Sequence, residues 1–434
     1  MAKRQFVSFP FSDLYAIKQQ VLNWSAGFDT CCFLDNQEYP SDGDSYECLA
    51  AAGELTRLQA PAGRAFEELK TFSLNLNDWL FGHFSFSLKS ETEHANSGLP
   101  DFVGFPDLFF FVPQIVVLIR RMEIQIGVEG SNHQEIYEQI LGSSSRSDNT
   151  AGDPPRIRQR ITREEYIRII HRLQEHIQRG DCYEINFCQE FFSENARVNP
   201  LALYSALNKV SPSPFSAFYS VDKRYLLCAS PERYLKRKGA TILSQPMKGT
   251  AARNRVNAVL DAELREELST SEKDRSENVM VVDLVRNDLS KICEINSVRV
   301  TELFGVYSFA QVHQMISTIT GKPKRGLHWS EMVAQTFPMG SMTGAPKKRV
   351  LELTEAYEKS ARGLFSGAVG YVEPNQDFDF NVVIRSLLYN LPGKYLAYFA
   401  GSGITADSDP DKEYAECLIK VAAFEKIIKN PSRF

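Results

Sequence analysis

Asp274 and Glu277 stand three residues apart, and Glu413, Glu416 and Lys420 follow one another at spacings of three and four. On a helix those spacings share one face. A face rich in carboxylate oxygens suits Mg2+, which takes one or two carboxylates and fills its octahedron with water and an anionic substrate. The same spacing equally describes a solvated charged surface, and nothing local chooses between the two. Ser230-Pro231-Glu232 and Pro246-Met247-Lys248-Gly249-Thr250 follow strand-like runs, so a carboxylate and an amine project from strand ends. With an unperturbed lysine pKa of about 10.4, Lys248 serves as a nucleophile only if burial or a cationic neighbour frees its amine. His313 and Arg385 each read two ways: a histidine also satisfies core hydrogen bonds, and an arginine also sits in surface pairs.

Two glycine-rich turns add backbone donors. Gly401-Ser402-Gly403-Ile404-Thr405-Ala406 fits the dinucleotide pattern GxGxxG/A. However, Pro410 delays the following helix, which takes up nearly all the remaining chain and leaves no second parallel strand. A tight turn whose N–H groups meet an anion stays open. Gly340-Ser341-Met342-Thr343-Gly344-Ala345-Pro346-Lys347 resembles a phosphate loop, yet Ala345 and Pro346 intervene where such a loop needs its lysine. It reads as a glycine-rich turn entering a helix with Pro346 at the first position, its backbone donors available to a carboxylate. Residue chemistry alone stops at an anion-binding enzyme for which Mg2+ is an open option.

The elements that must position these groups are partly legible. Thr162 and Glu165 form a capping-box pattern, and Tyr166, Ile169, Ile170, Leu173 and Ile177 recur at helical spacing up to a stop at Gly180. Helices are predicted over 200–210, 271–290, 346–360 and 410–428, the second carrying Val281, Leu284, Val285 and Leu289 as an apolar stripe and the last Tyr414, Cys417, Val421 and Phe424. Strands are predicted over 183–191, 216–220, 225–229, 367–372, 380–389 and 395–400. The hairpin-like Asn390-Leu391-Pro392-Gly393 favours antiparallel pairing and an α+β fold. The apolar run 109–119 is too short to span a bilayer and reads as a buried strand broken at Pro113.

Composition narrows the class. Hydrophobic residues make up 43% and charged residues 24% of 434 residues, the balance of a folded globular chain. The formal net charge of −5 disfavours sequence-independent binding to nucleic acid or an anionic membrane. Eight cysteines show no CxxC pair, and no apolar leader follows the N-terminus, so a cytoplasmic location is expected. The polar stretch 143–156, ending in Pro154-Pro155, reads as a mobile loop or linker.

Taken in order, several segments resemble the chorismate-utilising enzymes, the family of anthranilate, aminodeoxychorismate, isochorismate and salicylate synthases. They are Gly180-Asp181-Cys182-Tyr183-Glu184, Ser230-Pro231-Glu232, Pro246 to Thr250, Asp274-Arg275-Ser276-Glu277-Asn278, Val281 to Asp288, Val312-His313, Thr343 to Lys347, Ile384-Arg385, Gly401 to Ile404 and Glu413-Tyr414-Ala415-Glu416. The resemblance implies two packed antiparallel sheets with helices outside. Residues 1–142 would be the N-terminal part of that sandwich, 143–156 an excursion and 157–428 the chorismate-binding region. It implies Glu277 and Glu416 as Mg2+ ligands, with Glu413 and Asp274 as direct or water-mediated partners. The ion would hold the ring carboxylate of chorismate, near Lys420. Arg385 and the backbone of Gly401, Ser402 and Gly403 would take the enolpyruvyl carboxylate, with Ser341, Thr343 and Gly344 closing the pocket. Glu232 would protonate the departing C4 hydroxyl, and His313 would lie against the ring.

Two positions divide the family by chemistry. Enzymes that add water at C2 resemble this chain except for a lysine base at the position of Glu184, so water addition is disfavoured here. Anthranilate synthases carry alanine where this chain has Lys248; aminodeoxychorismate synthases carry lysine, which attacks C2 and expels the C4 hydroxyl before ammonia enters C4. Lys248 therefore implies the aminodeoxychorismate branch, with an anthranilate synthase component or a catalytically silent paralogue as alternatives. Glu184 departs from the glutamine of both aminating branches and lies in the substrate pocket by resemblance. No cysteine sits in a glycine-flanked nucleophile turn, so ammonia would come from a separate glutamine amidotransferase subunit, in a transient complex, or from solution.

Overall fold

Apolar residues alternating with a period of two build the centre of the molecule. Along the strand Tyr395–Ile404, Tyr395, Ala397 and Phe399 enter one core, and Leu396, Tyr398 and Ala400 enter another. The strands Phe215–Val221, Arg224–Ser230 and Ser386–Asn390 alternate in the same way, with Tyr219, Leu226 and Leu388 in the first core and Phe218, Leu227 and Leu387 in the second. Successive side chains of a strand point to opposite faces, so these strands form a sheet buried on both sides.

The computed structural model describes residues 4–39, 46–95, 98–144 and 154–429. Every ladder among them is antiparallel. One run of strands passes from Gln5–Pro10 through Glu123–Val128, Leu108–Arg120, Cys48–Ala60, Cys31–Asp35, Phe215–Val221, Arg224–Ser230, Ser386–Asn390 and Tyr395–Ile404 to Glu184–Ser193. A second run leaves the other end of Leu108–Arg120 through Leu80–Phe84, Ala368–Val372, Phe378–Val382, Arg233–Lys238 and Thr241–Gln245 to Val312–Gly321. Cys48–Ala60 and Leu108–Arg120 serve both runs, because a register shift between Glu54 and Thr56 bends their ladder.

Both runs contribute to one core, with Phe84, Phe110 and Phe380 from the second and Cys228, Leu388 and Phe399 from the first. Helices Leu14–Ser25, Pro200–Val210 and Pro410–Lys429 cover the outer face of the first run through Val21, Leu207 and Phe424. Helices Glu272–Ile292 and Trp329–Thr336 pack on the main core through Val285, Leu289, Trp329 and Met332. The α+β sandwich expected from the sequence is the fold. Residues before 142 supply strands to both runs, and no helix among the described residues is long and apolar enough to cross a membrane. Of the stretch 143–156, residues 145–153 lie outside the described residues.

Helix Arg163–Gln178 is capped by Thr162, whose side chain accepts from the Glu165 N–H, and ends before Gly180 at φ +84, as predicted. Three local expectations need correction. Strand Leu108–Arg120 runs unbroken through Pro113, which faces Glu54 at the ladder irregularity, where the missing N–H is tolerated. The predicted strand 380–389 is two strands, Phe378–Val382 and Ser386–Asn390, separated at Ile384-Arg385, with Arg385 at φ +50. Pro346 caps helix Lys347–Tyr357 from outside, and Gly344–Ala345 pairs with the strand Glu184–Ser193.

Candidate active site

The strand Met247–Ala252 pairs unevenly with Val312–Gly321, its register shifting between Met247 and Thr250. That irregularity re-aims Lys248. Gly249 supplies the positive φ of +86 and lies against the Asp274 side chain, which a Cβ would approach to 3.0 Å. Lys248 Nζ donates to Glu184 Oε1 at the start of the strand Glu184–Ser193, and both side chains are largely buried. Gly403, opposite Asn186 in the neighbouring ladder, makes room for this pair: a Cβ there would stand 2.2 Å from Lys248 Nζ and 2.4 Å from Glu184 Oε1. Gly403→Ala is expected to displace the amine and lower kcat by about 10²-fold, the typical effect of a 1 Å misplacement. Turnover and thermal melting measured on one preparation would show the loss of rate without a matching loss of stability.

Carboxylates surround the amine. Burial alone would lower the Lys248 pKa, but Glu184, Glu277 and Glu416 outweigh it and hold the group as an ammonium above its ordinary value. Burial raises the Glu277 carboxyl above the usual carboxylate range in spite of Lys248. Glu416 is half exposed, and Lys420, 2.6 Å away, outweighs its partial desolvation and holds it below that range. Glu232 is 4% exposed. Desolvation pushes its carboxyl up to about 7, although the Ser341 hydroxyl and Lys248 both favour the ionised form. A glycine-rich turn, a lysine, and acids spread between neutral and ionised states thus share one site.

The tight turn expected at Gly401 to Gly403 is instead the end of the strand Tyr395–Ile404, which flanks the strand Glu184–Ser193 on one edge, with the turn leading into Gly344–Ala345 on the other. Gly401, Ser402 and Gly403 pair with Cys188, Phe187 and Asn186, while Gly344 and Ala345 pair with Ile185 and Glu184. Lys420 Nζ donates to the Gly401 carbonyl at 2.8 Å, and the Ser402 hydroxyl lies 3.4 Å from the Tyr166 hydroxyl. Thr343 folds back to the carbonyls of Met339 and Gly340, and Asn186 Nδ2 donates to the Ser341 carbonyl at 3.0 Å. Arg362, which sequence reasoning did not single out, fastens this turn: its guanidinium donates to the Met342 and Asn186 carbonyls at 2.7 Å each while paired with Glu358. It carries no periodic or motif signal of its own.

Arg385 sits in the break between two strands, its guanidinium making no hydrogen bond or ion pair among the described residues. Burial lowers its pKa, opposed by Glu416. The other predicted residues are engaged elsewhere. His313 has its ring nitrogens 2.9 Å from Ser308 Oγ and 3.1 Å from Asp261 Oδ1, and no hydrogen bond links it to the Lys248 group among the described residues. Glu413 accepts from Ser408 at 2.9 Å, and Asp274 from Ser271 at 2.5 Å. Among the described residues no three His, Cys, Asp or Glu side chains form a preformed metal cage. A separate cavity of about 470 Å³ is lined by Leu34, Phe215, Arg233 and Tyr371 among others, and by none of Glu184, Lys248 or Glu277.

A family profile described as chorismate binding enzyme matches residues 24–426. The chain belongs to the chorismate binding enzyme family. Within it, a probable chloroplastic aminodeoxychorismate synthase of Oryza sativa subsp. japonica is 40% identical over 275 residues, 63% of this chain and 30% of that protein. Aminodeoxychorismate synthase component 1 of Klebsiella aerogenes is 38% identical over 61% of this chain and 58% of its own length. Anthranilate synthase component 1 of Thermus thermophilus is 30% identical over 80% of this chain and 77% of its own. The chain thus spans less than two thirds of the first two relatives. The fold matches anthranilate synthase component I of Streptococcus pneumoniae with a TM-score of 0.75 at 22% identity, covering 89% of this chain and 94% of that one. It also matches the menaquinone-specific isochorismate synthase of Escherichia coli with a TM-score of 0.76 at 17% identity, covering 99% and 95%.

Proposed function

We propose that this chorismate binding enzyme is the aminating component of an aminodeoxychorismate synthase, making 4-amino-4-deoxychorismate, a precursor of 4-aminobenzoate and folate, from chorismate and ammonia. The observation that carries the reading is Lys248, buried against Glu184 and facing Glu232, whose carboxyl is raised to about 7. Lys248 Nζ bonds to C2 of chorismate, the C1=C2 and C5=C6 double bonds shift to C1=C6 and C4=C5, and the C4–O bond breaks. Glu232 supplies the proton with which that hydroxyl leaves as water. Ammonia then bonds to C4, both double bonds shift back, and the C2–N bond breaks to release Lys248. Splitting one displacement into two easier ones is what a covalent nucleophile offers.

Binding falls to cations and backbone donors. Arg385, unpaired among the described residues, suits the enolpyruvyl carboxylate, since a guanidinium engages a carboxylate through two parallel hydrogen bonds. The Gly401 to Gly403 end of its strand would lie beside the same pocket, Ser341 to Gly344 would close it, and Lys420 would stand near the ring carboxylate. Glu277 and Glu416 fit Mg2+, because Glu277 is a partly buried carboxylate that Lys248 compensates only in part, and two protein oxygens suffice for this ion. Bound there, Mg2+ would neutralise the ring carboxylate and polarise the ring. Glu413 and Asp274 would act from a second layer, and His313 would orient the substrate. Ammonia would arrive from a separate glutamine amidotransferase subunit or from solution. The eight free, buried cysteines suit a reducing compartment such as the cytoplasm.

Incubation with chorismate, Mg2+ and ammonium, followed by mass spectrometry with and without a 4-amino-4-deoxychorismate lyase, tests the reading. The expected product is 4-amino-4-deoxychorismate, turned to 4-aminobenzoate only when lyase is added. Fluorescent anthranilate as the main product, or unchanged chorismate, would overturn it.

A further inference from the structure

The proposed nucleophile is stored in the wrong protonation state. Lys248 lies in a field of three carboxylates, from the strand Glu184–Ser193 (Glu184), the helix Glu272–Ile292 (Glu277) and the helix Pro410–Lys429 (Glu416). Of the three, only Glu184 hydrogen-bonds to Nζ. The lysine and glutamate side chains are 13% and 4% exposed, so bulk water has little access to the shared proton. The other Glu184 oxygen, Oε2, is buried with no hydrogen-bond partner among the described residues, which leaves the Lys248 ammonium as the group this carboxylate is bonded to. Its backbone is held on both sides. The strand pairs with Gly403 at Asn186 and with Ala345 at Glu184, and a Cβ on Gly344 would come within 2.1 Å of the Glu184 carbonyl. The fourth facing acid, Glu232, is already committed to the leaving hydroxyl.

We infer that Glu184 is a catalytic proton shuttle that takes the proton from the Lys248 ammonium and later returns it. This rests on the covalent role of Lys248 proposed above. In the first half, the proton passes from Nζ to Glu184, and the freed lone pair forms the N–C2 bond. The C4–O electrons leave with the hydroxyl, which departs as water with the proton of Glu232. The adduct nitrogen is then a secondary ammonium. In the second half, ammonia bonds to C4 and the C2–N electron pair returns to Lys248. The new C4 ammonium gives its surplus proton to Glu232, and Glu184 reprotonates the lysine. Chorismate and ammonia have become product and water, with both glutamates and the lysine restored.

The test follows adduct formation by intact-protein mass spectrometry after mixing enzyme, Mg2+ and chorismate without ammonia. A gain of one chorismate less one water marks the adduct. Between about pH 5.5 and 7, the wild-type rate is expected to be nearly flat. Glu184→Gln, of equal size and unable to accept the proton, is expected to be slower by about 10²-fold at pH 6 and to gain about tenfold per pH unit. Glu184→Asp, which keeps a base at lower reach, is expected to be slower but flat. A Glu184→Gln enzyme with the wild-type rate and flat profile overturns the shuttle and leaves the covalent lysine standing. No adduct in the wild-type enzyme while 4-amination proceeds overturns both.

Discussion

Lys248→Ala is expected to lose 4-amination by on the order of 10³-fold or more, because the variant has no group able to bond to C2. Two further effects follow from the surroundings of the amine. Glu184 is left buried without its cation, and breaking a buried pair in this way costs about 3–5 kcal/mol of folding stability. The space beside Gly403 that Nζ occupies becomes open, so ammonia is expected to reach C2 and yield anthranilate as the residual product. Lys248→Gln separates the causes. It keeps a donor for Glu184 and is expected to melt closer to the wild type, yet it loses 4-amination equally. Product analysis together with melting curves on both variants checks this. Full 4-amination by either would exclude the covalent role.

Glu232 sets the second large effect. A general acid must hold its proton, so with a carboxyl at about 7 the kcat/KM for chorismate is expected to fall as pH rises through that value. Glu232→Gln is expected to lose about 10²–10⁴-fold and the alkaline limb together. Stability moves in a definite direction as well. The folded protein binds this proton more tightly than the unfolded chain does, so wild-type stability declines between the ordinary carboxylate pKa and about 7, by about 3 kcal/mol in all. Glu232→Gln lacks that decline and is expected to gain on the wild type as pH rises. Denaturation midpoints at pH 5 and pH 8 would reveal it, and parallel midpoints for the two proteins would refute the raised carboxyl.

Much of this architecture was legible because it is periodic. Alternation around Tyr219, Leu226 and Leu396 gave strands, and the stripes Val281–Leu289 and Tyr414–Phe424 gave helices near their observed bounds. Helix Ala258–Thr270 escaped because it buries only Leu268, so no apolar stripe announces it. The break at Arg385 rests on one residue at positive φ inside an apolar run, a conformation that residue type does not signal. The site was legible as a set of segments but not as contacts. Glu184 and Lys248 lie far apart in the chain, and their meeting depends on a register shift in one ladder and a missing Cβ in another. His313 reads as a candidate from its type and from the family resemblance, whereas the partners of its ring nitrogens, Ser308 and Asp261, are visible only in the folded chain.

The pairing of Leu80–Phe84 with Ala368–Val372 has a consequence for how the chain is made. Every residue of Leu-Phe-Gly-His-Phe is buried in the finished protein, and one of its edges is completed early by Leu108–Arg120. The other edge waits for a strand roughly 290 residues downstream, which at ribosomal rates of about 5–20 residues per second means on the order of 15–60 s. During that interval the nascent protein presents an apolar strand edge, the kind of template on which chains aggregate. Neither half of the sandwich can finish ahead of the other, so its folding is deferred until Ala368–Val372 has been made.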